Sequence, residues 1–429
     1  MKTKLTGRFY LALTLFSLMG QVAWVVENMY FNVFIYKMFN ASASDISLMV
    51  AASAVAATVT TVFMGALSDK IGKRKLFISG GYILWGISIL SFAAINIDTI
   101  NKLFPMVTAA ASVGVSLTII LDCVMTFFGS TANDAAFNAW LTDSTDSSNR
   151  GAAEGINSMM PLVAILVVFG GFMFFDLDQN SSWTAIFLII GALTVVIGVL
   201  GFFIIKEPKL EPSKESYLGN IFYGFKPSTI KENKGLYKAL GLFVLFNIAI
   251  QIFMPYLIIY YEVSLKMKDY VLIMAPAIIL ASVATAFWGR VYDKKGFKFS
   301  SIIALLALVL GFVLLGIFVN VIPVFLGSLL MMSGYLCGMA VFGAVIRDLT
   351  PNGKAGRLQG IRIFSQVLIP GVVGPKIGEM VLKNAEVIKN SDGTTSFVPN
   401  QNIFYAALIV AVVVLALLFF VKKEKTNEQ

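Results

Sequence analysis

Charged side chains stand inside segments of the chain that are otherwise apolar enough to cross a bilayer. Glu27 and Asp134 are carboxylic acids in two such segments, and Arg362 and Lys376 are cations in a third. A charge inside a membrane is costly, so it usually serves a substrate, an ion or a proton pathway. The sequence contains no histidine, which excludes histidine proton relays and serine–histidine–aspartate catalysis. Any proton carrier must therefore be a carboxylate.

A polar stripe follows the first apolar segment. At about 100° per residue its members lie within about 80° of one another, with Glu27 on the flank. They are Gln21, Trp24, Asn28 and Asn32. Polar groups are costly against lipid, so the stripe should face the interior of a helix bundle. It either holds the bundle together through hydrogen bonds or forms a wall toward a polar solute and a coupling ion, and Glu27 favours the wall.

Polar side chains recur in three later segments. They are Asn247, Gln251 and Glu262 in the seventh segment, Asp122, Asn133, Asp134 and Asn138 in the fourth, and Arg362, Ser365, Gln366 and Lys376 in the eleventh. Arg362 can donate two parallel hydrogen bonds to neighbouring hydroxyls or to a carboxylate. Three of the charged groups have a simpler alternative. Glu262 can be solvated, Asp134 can pair with a basic loop residue, and Lys376 can extend to the outer surface.

Twelve apolar segments carry these residues. The chain is 58% hydrophobic and 13% charged, whereas a soluble domain averages about 25% charged residues. The segments are 9–37, 45–68, 75–96, 103–140, 150–175, 183–205, 236–262, 270–291, 299–319, 321–347, 356–382 and 402–421. Each is long enough to span a bilayer. The composition predicts an all-α membrane protein with twelve transmembrane helices.

Basic residues predict how the helices are oriented. The loops on one side hold 25 of the lysines and arginines and those on the other side hold 6. The richer side faces the cytoplasm, so both termini should be cytoplasmic. The net charge of +9 reflects this asymmetry and is not evidence for nucleic-acid binding. The longest polar segment predicts a cytoplasmic linker at 206–235 between six-helix halves at 1–205 and 236–429.

The two halves share a loop motif. It consists of Gly65, Asp69, Gly72 and Arg74 at the end of the second segment, and of Gly289, Asp293 and Gly296 at the end of the eighth. The offset is 224 residues, and a second match relates 137–157 to 342–362 at an offset of 205. Such repeats indicate two halves of the same topology. The glycines allow close helix approach and a tight turn, and the aspartates can face a helix N-terminus or a loop arginine.

The loop motif, the twelve segments and the central linker together resemble the major facilitator superfamily. The resemblance implies that the motif locks the cytoplasmic side of a transporter and biases its two access states. Within the superfamily, 134–140 and 347–362 resemble the glycoside–pentoside–hexuronide:cation symporters and the related sucrose-transporter-like proteins. This implies sugar contacts by Asp134 and Arg362, while Asn157 stands where that family has an arginine. The family's paired aspartates for sodium are absent from the second segment.

These observations together predict a secondary transporter of the plasma membrane. We expect it to move a small polar solute, a glycoside or disaccharide, by symport with a cation, most simply a proton. The residues predicted to bind substrate are Gln21, Trp24, Asn28, Asn32, Asp134, Asn138, Asn157, Asn247, Gln251, Arg362, Gln366 and Lys376. Glu27 and Asp134 are predicted for cation coupling, and the seven motif residues for gating.

No cofactor, metal site or catalytic residue is expected. The expected partners are the solute, the coupling cation and the lipid bilayer, without nucleic acid, and the chain should work as a monomer. An exporter of drugs or amphipathic metabolites remains the alternative, since the 36 phenylalanines could line an apolar cavity. A membrane enzyme would need a nucleophile–base or metal cluster, and a sensor would need a soluble domain. Neither an enzyme nor a sensor is expected from this sequence.

Overall fold

The computed structural model describes residues 5–106, 109–145, 149–207, 222–351, 355–390 and 394–420. The long helices are α1 (Gly7–Phe39), α2 (Ala43–Ile71), α3 (Arg74–Phe92), α4 (Ala110–Asp143), α5 (Arg150–Phe172), α6 (Asn180–Ile204), α7 (Lys234–Ser264), α8 and α9 (together Val271–Ile317), α10 (Val321–Leu349), α11 (355–381) and α12 (Asn402–Phe420). Shorter elements are the helices Ile97–Leu103 and Pro227–Glu232, the turn Tyr223–Phe225, and an antiparallel pair of strands, Val387–Lys389 and Thr395–Phe397.

The helix count agrees with the expected architecture. Within the described ranges, ten helices are long and apolar enough to cross a membrane. One of them, Val271–Ile317, is 47 residues long and contains a non-helical residue, Gly296, with φ 78° and ψ 176°. Gly296 divides it into α8 and α9, and α11 adds a further helix. The all-α membrane fold is confirmed, and the arrangement is consistent with twelve helices.

The ends of α2 show how the sequence sets the limits of a helix. The helix begins with a capping box, in which the Ser42 N–H donates to Asp45 Oδ2 (2.8 Å) and the Asp45 N–H donates to Ser42 Oγ (3.2 Å). These reciprocal bonds satisfy backbone donors that the first helical turn leaves unpaired. The helix ends at Gly72, whose φ of 70° is left-handed, a conformation that suits a residue without a Cβ. The loop motif therefore determines where α2 stops.

Four of the long helices contain a π-helical segment, in which hydrogen bonds join residue i to residue i+5. The segments are Val26–Tyr30 in α1, Ser130–Phe137 in α4, Tyr260–Ser264 in α7 and Phe364–Leu368 in α11. Such segments are rare and often occur at functional sites. The same four helices carry the polar groups singled out in the sequence. Glu27, Asp134 and Glu262 lie within these segments.

The chain forms two compact units, Met1–Phe222 and Tyr223–Gln429. Their boundary lies within 206–235, of which 208–221 is outside the described residues. The described end of that segment already contains the turn Tyr223–Phe225 and the helix Pro227–Glu232. The division of the chain into domains at 205 and 236 stays a prediction.

In the first unit, an aromatic cluster joins α1, α3 and α6. The ring centroids of Phe31 and Phe92 are 4.6 Å apart, and those of Phe34 and Phe187 are 5.0 Å apart. All four side chains are buried. Such pairs contribute about 0.5–1.5 kcal/mol each beyond the burial of their surface. The cluster holds the helix that carries Glu27 in a fixed orientation.

In the second unit, two glycines bring α7 and α11 into direct contact. A Cβ on Gly374 would collide with Gln251 Cβ, and one on Gly378 would lie 2.5 Å from the Ile252 carbonyl oxygen. Helices in lipid gain little from the hydrophobic effect and depend on such close packing. The contact places Gln251, a member of the predicted polar stripe, directly against α11.

The fourth apolar segment differs from its expected course. We expect one span over 103–140, but the chain forms the short helix Ile97–Leu103 and then α4, which begins at Ala110. Pro105 stands between them, and a proline cannot donate the backbone hydrogen bond that a continuous helix needs. The consequence is that α4 is shifted toward the C-terminus and ends at Asp143, beside the loop motif.

Candidate functional site

Glu27 is buried in the first unit and is held by two hydroxyl groups. Ser53 Oγ of α2 donates to Glu27 Oε1 (2.6 Å), and Thr126 Oγ1 of α4 donates to the same oxygen (2.9 Å). Only 7% of Glu27 is exposed. Its other oxygen, Oε2, has no hydrogen-bond partner among the described residues. The carboxyl can therefore accept a proton at Oε2 while Oε1 keeps both hydroxyl donors.

A second buried acid, Asp122, lies one turn before Thr126 on α4. Only 2% of it is exposed, and its Oδ1 atom has no hydrogen-bond partner in the described part of the chain. Its carboxyl interacts electrostatically with Glu27 and lies within reach of the Ser53 hydroxyl. The sequence contains Asp122 inside an apolar segment, but no motif of the resembling family selects it, so the predicted site omits it.

Asn133 links α4 to α1 and α3. Its Nδ2 donates to the Tyr82 hydroxyl (2.7 Å), and its Oδ1 accepts from Trp24 Nε1 (3.4 Å). The Tyr82 hydroxyl donates onward to the Phe16 carbonyl (2.5 Å). A Cβ on Gly20 would collide with Asn133, so the glycine makes room for this bond. The network fixes the orientation of Trp24, a predicted sugar contact.

The members of the polar stripe of α1 differ in their exposure. Gln21 and Trp24 are half-buried, Asn28 is exposed, and Asn32 is fully buried. The Asn28 and Asn32 amides donate to backbone carbonyls one turn earlier, those of Trp24 (2.8 Å) and Asn28 (3.1 Å). The π-helical segment 26–30 changes the number of residues per turn, so positions on its two sides lose their α-helical register. Their roles in substrate binding stay predictions.

Asp134 lies near Glu27, whereas the other predicted residues of α4 and α5 are engaged elsewhere. Asp134 is half-buried and accepts a hydrogen bond from Ser130 Oγ (3.0 Å). No ion pair between it and a loop cation occurs in the described residues, and it interacts electrostatically with Glu27. Asn138 is exposed and donates to backbone carbonyls of its own helix. Asn157 accepts from Ser17 Oγ of α1 (2.6 Å).

The predicted substrate residues of the second unit lie on α7 and α11. Asn247 is buried, and its amide donates to a backbone carbonyl of its own helix (2.8 Å). Arg362 and Gln366 are half-buried on either side of the start of the π-helical segment of α11. Lys376 is exposed and forms an ion pair with Glu379 on the same helix (2.7 Å). Lys376 thus has a partner within α11, and its contact with substrate stays a prediction.

In the first unit, Arg74 ties the loop motif to α4. Its guanidinium donates to Asp143 Oδ2 (3.0 Å) and to Ser68 Oγ (2.6 Å), and it pairs with Asp69. Arg74 is 5% exposed, so these charge-assisted bonds lie in a largely dry environment. Ser68 Oγ donates in turn to the Gly65 carbonyl (2.9 Å). The contacts of Arg74 with Asp69, Ser68 and Asp143, here called the fork, join the ends of α2, α3 and α4.

The corresponding motif in the second unit makes different contacts. Asp293 is exposed, and Lys298, which matches the arginine of the first unit, donates to the Phe419 carbonyl of α12 (2.8 Å). The link to α10 is made instead by the Tyr292 hydroxyl, which donates to Asp348. Gly296 supplies the left-handed turn, as Gly72 does in the first unit. Among the described residues, a buried arginine holds the motif together in the first unit and not in the second.

A family model described as Major Facilitator Superfamily matches residues 10–375. The chain belongs to the major facilitator superfamily. No curated protein sequence matches it significantly. Members of the superfamily are membrane transporters, and the loop motif that resembles their signature is the one built around Arg74.

Solved structures of other major facilitators share the fold. A D-xylose–proton symporter has a TM-score of 0.75 at 15% identity, covering 98% of this chain and 99% of that one. A bacterial homolog of the human lysosomal transporter Spinster has a TM-score of 0.71 at 13% identity, covering 97% of each chain. The nucleoside transporter NupG has a TM-score of 0.69 at 14% identity, covering 96% of this chain and 99% of that one. At these identities the likeness concerns the fold.

Several residues around the site are absent from the predicted set. They are Ser53, Tyr82, Asp122, Thr126 and Asp143. Serine and threonine are common in membrane helices because their hydroxyls can bond their own backbone, so Ser53 and Thr126 give no signal on their own. Asp143 had a signal, because it lies in the repeated stretch 137–157 at the position that matches Asp348.

The buried fork of this major facilitator leads to a stability prediction. Arg74→Lys keeps the positive charge but cannot contact Asp69, Ser68 and Asp143 together. Hydrogen bonds to charged groups contribute about 1.5–3 kcal/mol, and the contact with Asp69 contributes less because that side chain is half exposed. We therefore expect the free energy of unfolding to fall by about 1–3 kcal/mol. Thermal unfolding of the purified protein, followed by tryptophan fluorescence, would show a lower midpoint for the variant.

A matched control is available one residue away. Lys73 is exposed, and Lys73→Ala should leave the unfolding midpoint nearly unchanged, as surface substitutions usually do. If Arg74→Lys unfolds at the same temperature as the parent and as Lys73→Ala, the fork does not stabilise the fold.

Proposed function

We propose that this major facilitator is a proton-coupled symporter that imports a glycoside or disaccharide across the plasma membrane. The observation that carries the proposal is the Glu27 site, a buried carboxyl with two hydroxyl donors on one oxygen and no described partner on the other. A side chain of this kind is costly in a membrane unless it serves transport. The D-xylose–proton symporter of similar fold is a solved example of proton coupling to a sugar.

The residues proposed to bind substrate have the chemistry of a sugar site. Trp24 offers a flat apolar ring, and Asn, Gln and Arg side chains offer donors and acceptors for hydroxyl groups. Binding sites for small polar ligands combine such groups on apolar walls. Each hydroxyl of the sugar leaves water, so each needs a partner in the site. The substrate contacts proposed for the second unit are Gln251, Arg362 and Gln366.

In the proposed cycle, protonation of Glu27 neutralises the buried site and permits the loaded carrier to change its access state. Release of the proton restores the charge and disfavours return without substrate. A ligand shifts such an equilibrium only by its differential affinity for the two states. The fork at Arg74 contributes by stabilising the state in which the ends of α2, α3 and α4 are joined.

A ligand panel tests the substrate class. Mono-, di- and trisaccharides, together with amphipathic cations, are scored by thermal shift of the purified protein and by counterflow in liposomes. We expect one class of sugar to raise the unfolding temperature and to exchange. Binding and exchange of amphipathic compounds, with no response to any sugar, would instead favour the exporter.

A further inference from the structure

Two buried carboxyls of the first unit lie within reach of one hydroxyl group, that of Ser53. Glu27 stands on α1 and Asp122 on α4, while Ser53 reaches both from α2. Thr126 adds a second hydroxyl, 2.9 Å from Ser53 Oγ. Each carboxyl has one oxygen without a hydrogen-bond partner among the described residues, Oε2 of Glu27 and Oδ1 of Asp122. Both residues are more than nine-tenths buried.

The surrounding groups do not neutralise two negative charges. The apolar segment of α2 from Ile46 to Ser68 has no charged residue. The titratable groups that interact electrostatically with Glu27 or Asp122 are Cys123 and Asp134 of α4, and Tyr82 of α3 interacts with Asp134. No lysine or arginine in the described part of the chain acts on Glu27 or Asp122. Two neighbouring carboxylates in a dry site repel each other, so ionisation of one acid disfavours loss of the proton from the other.

We propose that Glu27 and Asp122 form one proton-binding pair, with Asp122 as an acid of the coupling site that the sequence motifs do not mark. The inference rests on the proposed function for its role in transport, but the pair itself can be tested without substrate. A proton from water binds to one carboxylate oxygen, which converts a pair with two negative charges into a pair with one. Loss of that proton to water reverses the step, and no other bond changes.

A proton fits this site better than a metal ion. Hard cations need about six oxygen ligands, and no group of three or more acidic, histidine or cysteine side chains in the described residues could hold a metal. Both hydroxyls donate to Oε1 of Glu27. Two other carboxyl oxygens of the pair have no partner among the described residues and can share a proton. A proton on Oε2 of Glu27 or on Oδ1 of Asp122 supplies the hydrogen-bond donor that these oxygens lack.

Infrared spectroscopy of the purified protein in liposomes tests the pair directly. The C=O stretch of buried protonated carboxyls is followed from acid to alkaline pH in the parent, Asp122→Asn, Glu27→Gln and the double variant. Asn at 122 removes the neighbouring negative charge, so the remaining acid should lose its proton at lower pH than in the parent. A shift of one pH unit or more, with loss of the pair's band in the double variant, is expected.

The control and the transport assay separate this inference from the proposed function. Asp134→Asn removes another carboxyl of α4 that interacts electrostatically with Glu27. Asp134 accepts its hydrogen bond from Ser130 and does not belong to the pair at Ser53, so its removal should shift the band less than Asp122→Asn. If Asp122→Asn leaves the titration of the Glu27 band unchanged, the pair is refuted, and Glu27 can still couple transport alone. If the band responds to sodium at constant pH instead, the site binds sodium and the proton pair is also refuted. Asp122→Asn should exchange substrate but accumulate it less than half as far as the parent under a pH gradient.

Discussion

Glu27→Gln is expected to exchange substrate normally in liposomes and to lose accumulation driven by a pH gradient. Glutamine has the shape of the protonated acid but cannot release a proton, so the loaded carrier can still change its access state. Its amide oxygen can still accept from Ser53 and Thr126, as Glu27 Oε1 does at 2.6 and 2.9 Å. A gradient of one pH unit corresponds to about 1.4 kcal/mol per proton. The parent should therefore concentrate a neutral solute about tenfold, and the variant should only equilibrate it.

Counterflow and uphill uptake are measured on the same liposomes, so that the amount of active protein is common to both. Glu262→Gln is the matched control, since Glu262 is an acid in the π-helical segment of α7, and it should accumulate substrate like the parent. Accumulation by Glu27→Gln at the parental level would contradict the coupling role of Glu27. Asp134 would then become the leading candidate.

Arg362→Ala is expected to weaken substrate binding by about tenfold to a hundredfold. Hydrogen bonds that involve a charged group contribute about 1.5–3 kcal/mol, and the guanidinium offers a fork that fits two neighbouring hydroxyls. Arg362→Lys should recover little, because an ammonium group lacks that planar geometry. The measurement is the dissociation constant of the sugar found in the ligand panel, obtained by titration of the purified protein.

Two comparisons make this result specific. Lys383→Ala removes an exposed cation just beyond α11 and should leave the dissociation constant unchanged. The unfolding temperature of each variant without ligand shows whether the fold is preserved. Binding by Arg362→Ala as tight as that of the parent would make Arg362 a structural residue.

Much of the fold can be predicted from the sequence because lipid imposes simple rules. A helix must be long enough to cross, and its backbone must be satisfied internally, so apolar length alone locates most spans. The end of α2 at Gly72 follows from a separate rule, because a left-handed turn favours glycine. The break before α4 was harder to predict, because the apolar composition of 103–140 outweighed the single proline in the sequence pattern.

The site was less predictable because the π-helical segments change helix register. With 100° per residue, Asn28 and Asn32 fall on one face, yet Asn28 is exposed and Asn32 is fully buried. Nothing in the sequence between Val26 and Tyr30 marks a π-helical turn. The partners of Glu27 were also hidden, since Ser53 and Thr126 are 26 and 99 residues away in the chain. A single sequence does not show which of its many hydroxyls will meet an acid.

Helix α11 is held by close contacts at two places along its length. Its second half is clamped to α7 at Gly374 and Gly378. Its first half, which carries Arg362, rests on the turn Tyr223–Phe225, where a Cβ on Gly224 would lie 3.0 Å from Ile361. Between these two contacts lies the π-helical segment Phe364–Leu368, a kind of segment that often occurs at functional sites. Arg362 is therefore next to a residue in contact with the turn Tyr223–Phe225, so the same short stretch of α11 connects the predicted substrate contact with the segment that joins the two halves of the chain.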